Sequence, residues 1–225
     1  MKINTSYLVL KTNKKIKQDS SKLRGYIGNQ FDYPLLHNHY AGDKTLYSYP
    51  LVQYHVIDGQ ASILGIEEGA ELLKEISDDI TELKLSDSYY KVEDREIFEN
   101  EYNVSTTNRE YHYKFITPWL ALNKNNFERF EKINNWKDRK TLLNKILAGN
   151  ILSMAKGLGI IVDRRLYPKT RLDLTNADYK SVNMMAFTGE FKVRFRIPDY
   201  FGFGKGVSHG FGAVVRVPDQ EANEE

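Results

Sequence analysis

At 225 residues, the chain is long enough for one large domain or two of about 100 residues each, and 41% hydrophobic with 28% charged content is ordinary for a soluble globular protein. No apolar run approaches the roughly 18 residues of a membrane span, the N-terminal Met-Lys-Ile-Asn-Thr-Ser-Tyr has no apolar signal core, and the lack of cysteine excludes disulfides and thiolate metal sites, so a cytoplasmic protein with no membrane partner is expected. The net charge of +2 hides an asymmetry that points to a polyanion partner: residues 1–107 carry 12 Lys and Arg against 17 Asp and Glu, residues 108–225 carry 20 against 13, and Lys137–Arg216 alone carries 15 against 6.

In chain order, Ser6–Lys11 is a predicted strand and Thr12–Asp19 its loop. Ser20 or Ser21 caps a helix whose Leu23, Tyr26, Ile27 and Phe31 share a face, weakened by Gly25 and Gly28 and ended by Pro34. Leu35–Tyr40 and a turn at Gly42-Asp43 follow. Leu51–Ile57 and Ala61–Ile66, joined by Asp58-Gly59, read as a hairpin. Glu67–Leu83 reads as a helix with acidic residues in its first turn, where the helix dipole favours them. Strand-rich sequence around Leu83–Leu85, Tyr89–Val92 and Ile97–Tyr102 completes a strand, helix, hairpin, helix, strand order, the pattern of a ferredoxin-like unit.

Polar Ser105–Asn108 marks the expected boundary, giving domains 1–107 and 108–225. Beyond it Tyr111–Ile116 alternates as a strand, and Pro118–Leu122 leads to a helix over Asn125–Ile133. A longer helix, Lys137–Lys156, carries Leu142, Leu143, Ile146, Leu147, Ile151, Leu152 and Ala155 on one stripe and ends at Gly157. Strands are expected at Ile160–Leu166, Arg171–Leu174, Met184–Ile197 and Ala213–Val217. The fold class is therefore α+β, as two domains in tandem.

Gly202–Gly212 reads Gly-Phe-Gly-Lys-Gly-Val-Ser-His-Gly-Phe-Gly and holds five of the fifteen glycines. Such density suits either a main-chain N–H surface for phosphates, with Lys205 adding charge, or a turn between two strands. Phe203 and Phe211 can anchor the loop's ends or offer a face to a base. A Walker loop and a dinucleotide fingerprint are both excluded, because the spacing is wrong and a strand, not a helix, follows. Phosphates bound here would belong to a polymer.

Gly202-Phe203-Gly204 and Gly210-Phe211-Gly212, five residues apart and just before the final strand, resemble the signature loop of the repeat-associated (RAMP) CRISPR proteins, especially their repeat-RNA endoribonucleases. Lys22-Leu23-Arg24-Gly25, Leu36-His37-Asn38-His39, Tyr49–Tyr54, Leu64–Gly69 and Phe115 with Pro118–Asn123 look like the "b" branch of that family, so the resemblance covers most of the chain. It implies two tandem ferredoxin-like (RRM-like) domains. It also implies metal-independent cutting of the repeat in CRISPR precursor transcripts, with 2′,3′-cyclic phosphate and 5′-hydroxyl ends, no cofactor, repeat RNA as partner and room for a homodimer.

Such chemistry needs a base, an acid and a cation. His37 and His39 are the expected acid and base in either order, since imidazole titrates near neutrality and residues two apart in extended chain point the same way. One of them can instead cap a helix or bond a backbone carbonyl. Tyr40 and Tyr33 are candidates to position the scissile phosphate, and Lys22 and Arg24 to supply the cation or to line a solvated helix face. Lys156, Arg164, Arg165, Lys169, Arg171 and Lys205, with the amides at Gly202, Gly204, Gly206, Gly210 and Gly212, are expected to track phosphates. His209 either touches RNA or ends the turn. His55 reads as structural, and His112 has no assigned role. No metal site is expected, since His-x-His would need further ligands. The alternatives are a non-catalytic guide-RNA-binding subunit of an effector complex and an interaction module without nucleic acid.

Overall fold

The structure, a computed structural model, describes residues 1–37, 39–40, 44–45 and 49–218, with the backbone alone at 39, 40, 44 and 45. It divides into two compact units: Met1–Asn103 with Gly206–Phe211, and Val104–Lys205 with the chain from Gly212 on.

Unit 1 begins with β1 (Lys2–Thr12), whose Ile3, Leu8 and Leu10 are buried. Helix α1 (Ser20–Gln30) is capped by Asp19, whose carboxylate accepts from the Ser21 and Lys22 amides, one residue ahead of the serines expected to cap it. Pro34 does more than stop that helix: it opens a further helical turn, α2 (Pro34–His37), as proline does at a first helical position. Next come the short backbone pair β2 (His39–Tyr40) and β3 (Lys44–Thr45). The expected hairpin is β4 (Val52–Ile57) with β5 (Gln60–Ile66), and Asp58 and Gly59 both have the positive φ of a type I′ turn.

Helix α3 (Glu68–Ile76) and a 3-10 turn at Ser77–Asp79 stop well short of Leu83. There Leu83 and Leu85 alternate into the core as β6 (Glu82–Leu85), so the period of two overrides the helical reading. The two last strands expected of this unit are one, β7 (Ser88–Asn103), whose first residues, Ser88–Lys91, pair with β6 and whose Val92–Asn103 pair with β1, stitched by Lys2–Glu101 and Lys11–Asp94 ion pairs. The sheet order β4-β5-β1-β7-β6, antiparallel throughout, is the ferredoxin-like βαββαβ pattern with β6 added at an edge. Its core gathers Leu8, Leu10, Leu23, Ile27, Leu36, Tyr54, Leu73, Ile76 and Leu83.

Unit 2 repeats the scheme with β8 (Thr106–Trp119), α4 (Lys124–Glu131), α5 (Trp136–Gly157), β9 (Lys169–Tyr179), β10 (Val182–Phe195) and β11 (Val214–Arg216). Asn123 and Asn135 cap its two helices. The order β11-β8-β10-β9 again places the first strand between the third and fourth. Residues 160–166 are not the expected strand: β9 is the sheet edge, paired with β10, and Ile161 stands in solvent. Between β10 and β11, where unit 1 has α3, the chain makes the glycine loop with a single 3-10 turn at Val207–His209. The fold is thus α+β, two tandem ferredoxin-like domains. Among the described residues no helix is long and apolar enough to cross a membrane.

Candidate active site

His37 closes α2, and its ring lies against the last turn of α1. A Cβ added to Gly28 would stand 2.6 Å from His37 Cε1, so the ring needs glycine at that position. His37 Nε2 is 2.7 Å from the Gly28 carbonyl, one of the carbonyls a helix leaves unpaired at its C-terminus. A carbonyl only accepts, so Nε2 carries the proton, and in the neutral ring the lone pair sits on Nδ1. Behind the turn, buried Tyr54 donates its hydroxyl to the Leu36 carbonyl at 3.2 Å, and burial raises the pKa of that phenol.

Arg24, one turn before Gly28 on α1, ties this corner together. Its Nη2 donates to the His37 carbonyl at 2.7 Å and its Nη1 lies 3.4 Å from His209 Nε2, while Nε is buried with no hydrogen-bond partner among the described residues. A guanidinium only donates, so His209 Nε2 is the acceptor. His209 is held by its own amide on the Gly206 carbonyl at 2.8 Å. Gly210, with φ +86°, lets the loop pass Tyr54 and Ser20, whose atoms a Cβ there would meet at 2.5 and 2.6 Å.

His37, Arg24 and His209 are therefore brought together, and the side chains of His39 and Tyr40 lie outside the described residues. Tyr33 donates to Glu75 at 2.5 Å. Lys22 is exposed on α1. His55 is fully buried on β4, and burial lowers its pKa from 6.5 to about 4, as suits a structural histidine. Half-exposed His112 meets Glu190 at 3.0 Å.

In unit 2, Lys156, Arg164, Arg165, Lys169, Arg171 and Lys205 are all exposed. Lys169 pairs with Glu110 at 2.6 Å, Arg164 donates to Asn108 at 2.9 Å, and Lys205 lies 5.1 Å from the Tyr179 ring. Gly202, Gly210 and Gly212 are buried, Gly204 and Gly206 half-buried, and Phe203 anchors its end of the loop in the core. The amides of Phe203, Lys205, His209, Gly210, Phe211 and Gly212 bond carbonyls of the protein, which leaves fewer N–H groups for phosphate than the glycine count suggests.

Sequence reading did not find Gly28 as the seat of the histidine. The signal was a second glycine in α1 that weakens a helix without ending it. It also missed Arg109, Arg196 and Arg216, whose guanidinium carbons stand 4.6, 5.6 and 4.7 Å from the Tyr111 ring centroid and which nothing short of the strand register could have joined. Among the described residues no three His, Cys, Asp or Glu side chains gather as a metal site.

Residues 1–103 match the Cas6b N-terminal domain and residues 105–217 the Cas6b C-terminal domain. A crystal structure of Cas6b is 35% identical over 96% of this chain and 100% of that one, with a TM-score of 0.89. A crystal structure of the CRISPR RNA processing endoribonuclease Cas6b is 31% identical over 96% of this chain and 100% of that one, with a TM-score of 0.79. Protein MJ0978 of Methanocaldococcus jannaschii is 46% identical over 111 residues, 48% of this chain and 73% of that protein. Both halves match in order, and the likeness extends over nearly the full length: the chain belongs to the Cas6b family.

Proposed function

We propose that the protein is a CRISPR RNA processing endoribonuclease that cuts the repeat of a precursor transcript without a metal. The ribose 2′-oxygen bonds to the adjacent phosphorus as its proton passes to a base, and the bond from phosphorus to the 5′-oxygen breaks as an acid protonates the leaving oxygen. The products are a 2′,3′-cyclic phosphate and a 5′-hydroxyl. His37, held by the Gly28 carbonyl at Nε2, supplies one of the two proton transfers. His39 supplies the other, and Tyr40 positions the phosphate. Arg24 places positive charge beside His37 to offset the charge that develops on the phosphorane. Lys22, the exposed cations of unit 2 and His209 bind the RNA backbone.

The observation that carries this reading is the His37 ring seated against Gly28, with Nε2 hydrogen-bonded to the Gly28 carbonyl beside Arg24. Family membership supports the substrate class. Incubation of the full chain with its repeat RNA in EDTA is expected to yield cyclic-phosphate ends, and His37→Ala to slow cutting about 10²- to 10⁴-fold with binding retained. Cleavage that needs added magnesium overturns the mechanism. The second reading, a non-catalytic guide-RNA-binding subunit, keeps the basic surface of unit 2 and treats the His37–Gly28 bond as structural. Binding without cutting in the wild-type protein would select it.

A further inference from the structure

The turn that carries His37 is held at three points, and one of the groups holding it is itself held from the glycine loop. A helix as short as α2 leaves its last carbonyls without partners of its own. The Leu36 carbonyl accepts from the Tyr54 hydroxyl at 3.2 Å, and the His37 carbonyl from Arg24 Nη2 at 2.7 Å. The third point is the His37 ring on the Gly28 carbonyl. Arg24 is half-buried, and its Nε has no hydrogen-bond partner among the described residues. Its two Nη groups therefore set the direction of the guanidinium plane, Nη2 on His37 and Nη1 at 3.4 Å from His209 Nε2. A planar fork fixed at two ends keeps its orientation, whereas one fixed at a single end turns about it.

His209 is itself fixed. It ends the 3-10 turn Val207–His209, which belongs to unit 1 with the rest of Gly206–Phe211. The His209 amide donates to the Gly206 carbonyl at 2.8 Å and the Gly210 amide to the Val207 carbonyl at 3.0 Å. The turn packs on β4 and α1, and at Gly210 it passes so close that a Cβ would meet the Tyr54 carbonyl and Ser20 Oγ. Tyr54 thus supports the loop with its main chain and the His37 turn with its hydroxyl. A carbon in the place of His209 Nε2 would leave Arg24 Nη1 without its acceptor, at a half-buried site where an unmade hydrogen bond is costly.

We infer that His209 is a positioning residue for the cutting reaction: through Arg24 it holds the turn that presents His37. This rests on the reading of the protein as an endoribonuclease with His37 in its mechanism. In this role His209 touches no reacting atom, and the glycine loop has a task inside the protein beside its contact with RNA.

The test is cleavage of repeat RNA by the full chain in EDTA, with kcat and KM measured separately and thermal melts to show that each variant is folded. His209→Phe keeps a ring and removes the acceptor, and is expected to lower kcat about tenfold, whereas loss of an RNA contact alone acts on KM. His209→Gln, whose side-chain carbonyl reaches as far as Nε2 and accepts, is expected to restore most of kcat. Arg24→Gln is expected to lower kcat about 10²-fold, and His209→Phe added to it to change kcat no further, because His209 acts only through Arg24. Additive losses in that cycle overturn the inference, as does a His209→Phe variant altered in KM alone or a His209→Gln variant equally slow. If His209→Phe fails to melt cooperatively, His209→Ala replaces it with the same expectations. The nitrogen NMR signals of the His37 ring give a readout without RNA: the wild type is expected to show the proton on Nε2, and His209→Phe to move the signals toward exchange between both tautomers. A wild type that binds repeat RNA yet cuts nothing strikes the endoribonuclease reading, and the ring signals then decide whether His209 holds this turn, unchanged signals in His209→Phe refuting it. A wild type that cuts, with kcat unaltered in His209→Phe, strikes this inference alone.

Discussion

The two units share one strand order and differ most instructively at the connection from third strand to fourth. In unit 1 that step is helix α3, whose backbone groups pair within the helix. In unit 2 the chain between β10 and β11 has no α-helix, and its amides reach partners one by one, Phe203 to Gly212, Lys205 to Leu120 and Gly212 to Pro118. A helix solves its backbone accounting with residues of any small or straight side chain, whereas a loop must bring main chains into contact, and a Cβ obstructs that. The glycine density is therefore first a replacement for a helix. Whatever it offers to RNA comes from the groups left over.

The sharpest way to break this comparison is to add one methyl group to each end of the loop. Gly204 and Gly210 both have φ above +80°, and a Cβ would meet the Leu120 carbonyl at 2.6 Å in unit 2 and the Tyr54 carbonyl at 2.5 Å in unit 1. Each change to alanine is expected to cost about 2–5 kcal/mol through strained backbone and overpacking. Hydrogen exchange should locate the loss, Gly204→Ala loosening β8 and Gly210→Ala loosening β4. Equal loss in both units from either change would mean that the loop does not divide its contacts this way.

Gly28→Ala sets stability against activity. The atoms an added Cβ would meet are those of the His37 ring, which can swing away, so the fold is expected to survive with a gain of up to about 1 kcal/mol from helix propensity. The rate of RNA cutting is expected to fall about 10²-fold, the lower end of what a proton-transfer group supplies. Full activity with a displaced ring would remove His37 from the mechanism.

Much of the fold was legible because its signals are local. Asp58-Gly59 announces the hairpin by its φ demands, and the stripe from Leu142 to Ala155 announces α5. The site was legible only by residue type. His37 stood out as an imidazole, but its seat lies on the preceding helix and is marked by an absent side chain. Arg109, Arg196 and Arg216 are joined by strand register, which no spacing in the sequence encodes. Residues 160–166 show the reverse failure: an apolar stretch with strand character stays irregular, and the place beside β10 is taken by β9.

The strand histidines extend the comparison to pH. His112 in unit 2 meets a carboxylate, whereas His55 in unit 1 is enclosed, with its pKa lowered to about 4. A depressed histidine pKa means that the unfolded chain binds the proton first, so this contribution to stability is complete above the unfolded pKa near 6.5 and is lost as pH falls toward 4, by up to about 1.4 kcal/mol per pH unit. Chemical denaturation at pH 7 and pH 5 should show the loss, and His55→Gln should flatten it. A wild-type profile level between those values would mean that His55 is not enclosed in solution.

The smallest effect tests the same residue type with the opposite sign. Gly149 lies inside α5, where a built Cβ finds no heavy atom within 4 Å and the conformation is helical. Nothing there requires glycine, so Gly149→Ala is expected to stabilise the protein by about 0.5–1 kcal/mol, the helix-propensity difference alone. Gly25 in α1 meets the same conditions in unit 1 and should respond alike. Placed beside Gly204 and Gly210, the pair separates two uses of one residue: where main chain must touch main chain, the missing Cβ holds the fold together, and on an open helix face it only weakens it. A melting temperature that falls for Gly149→Ala would show that the gap on α5 is needed for something beyond helix formation.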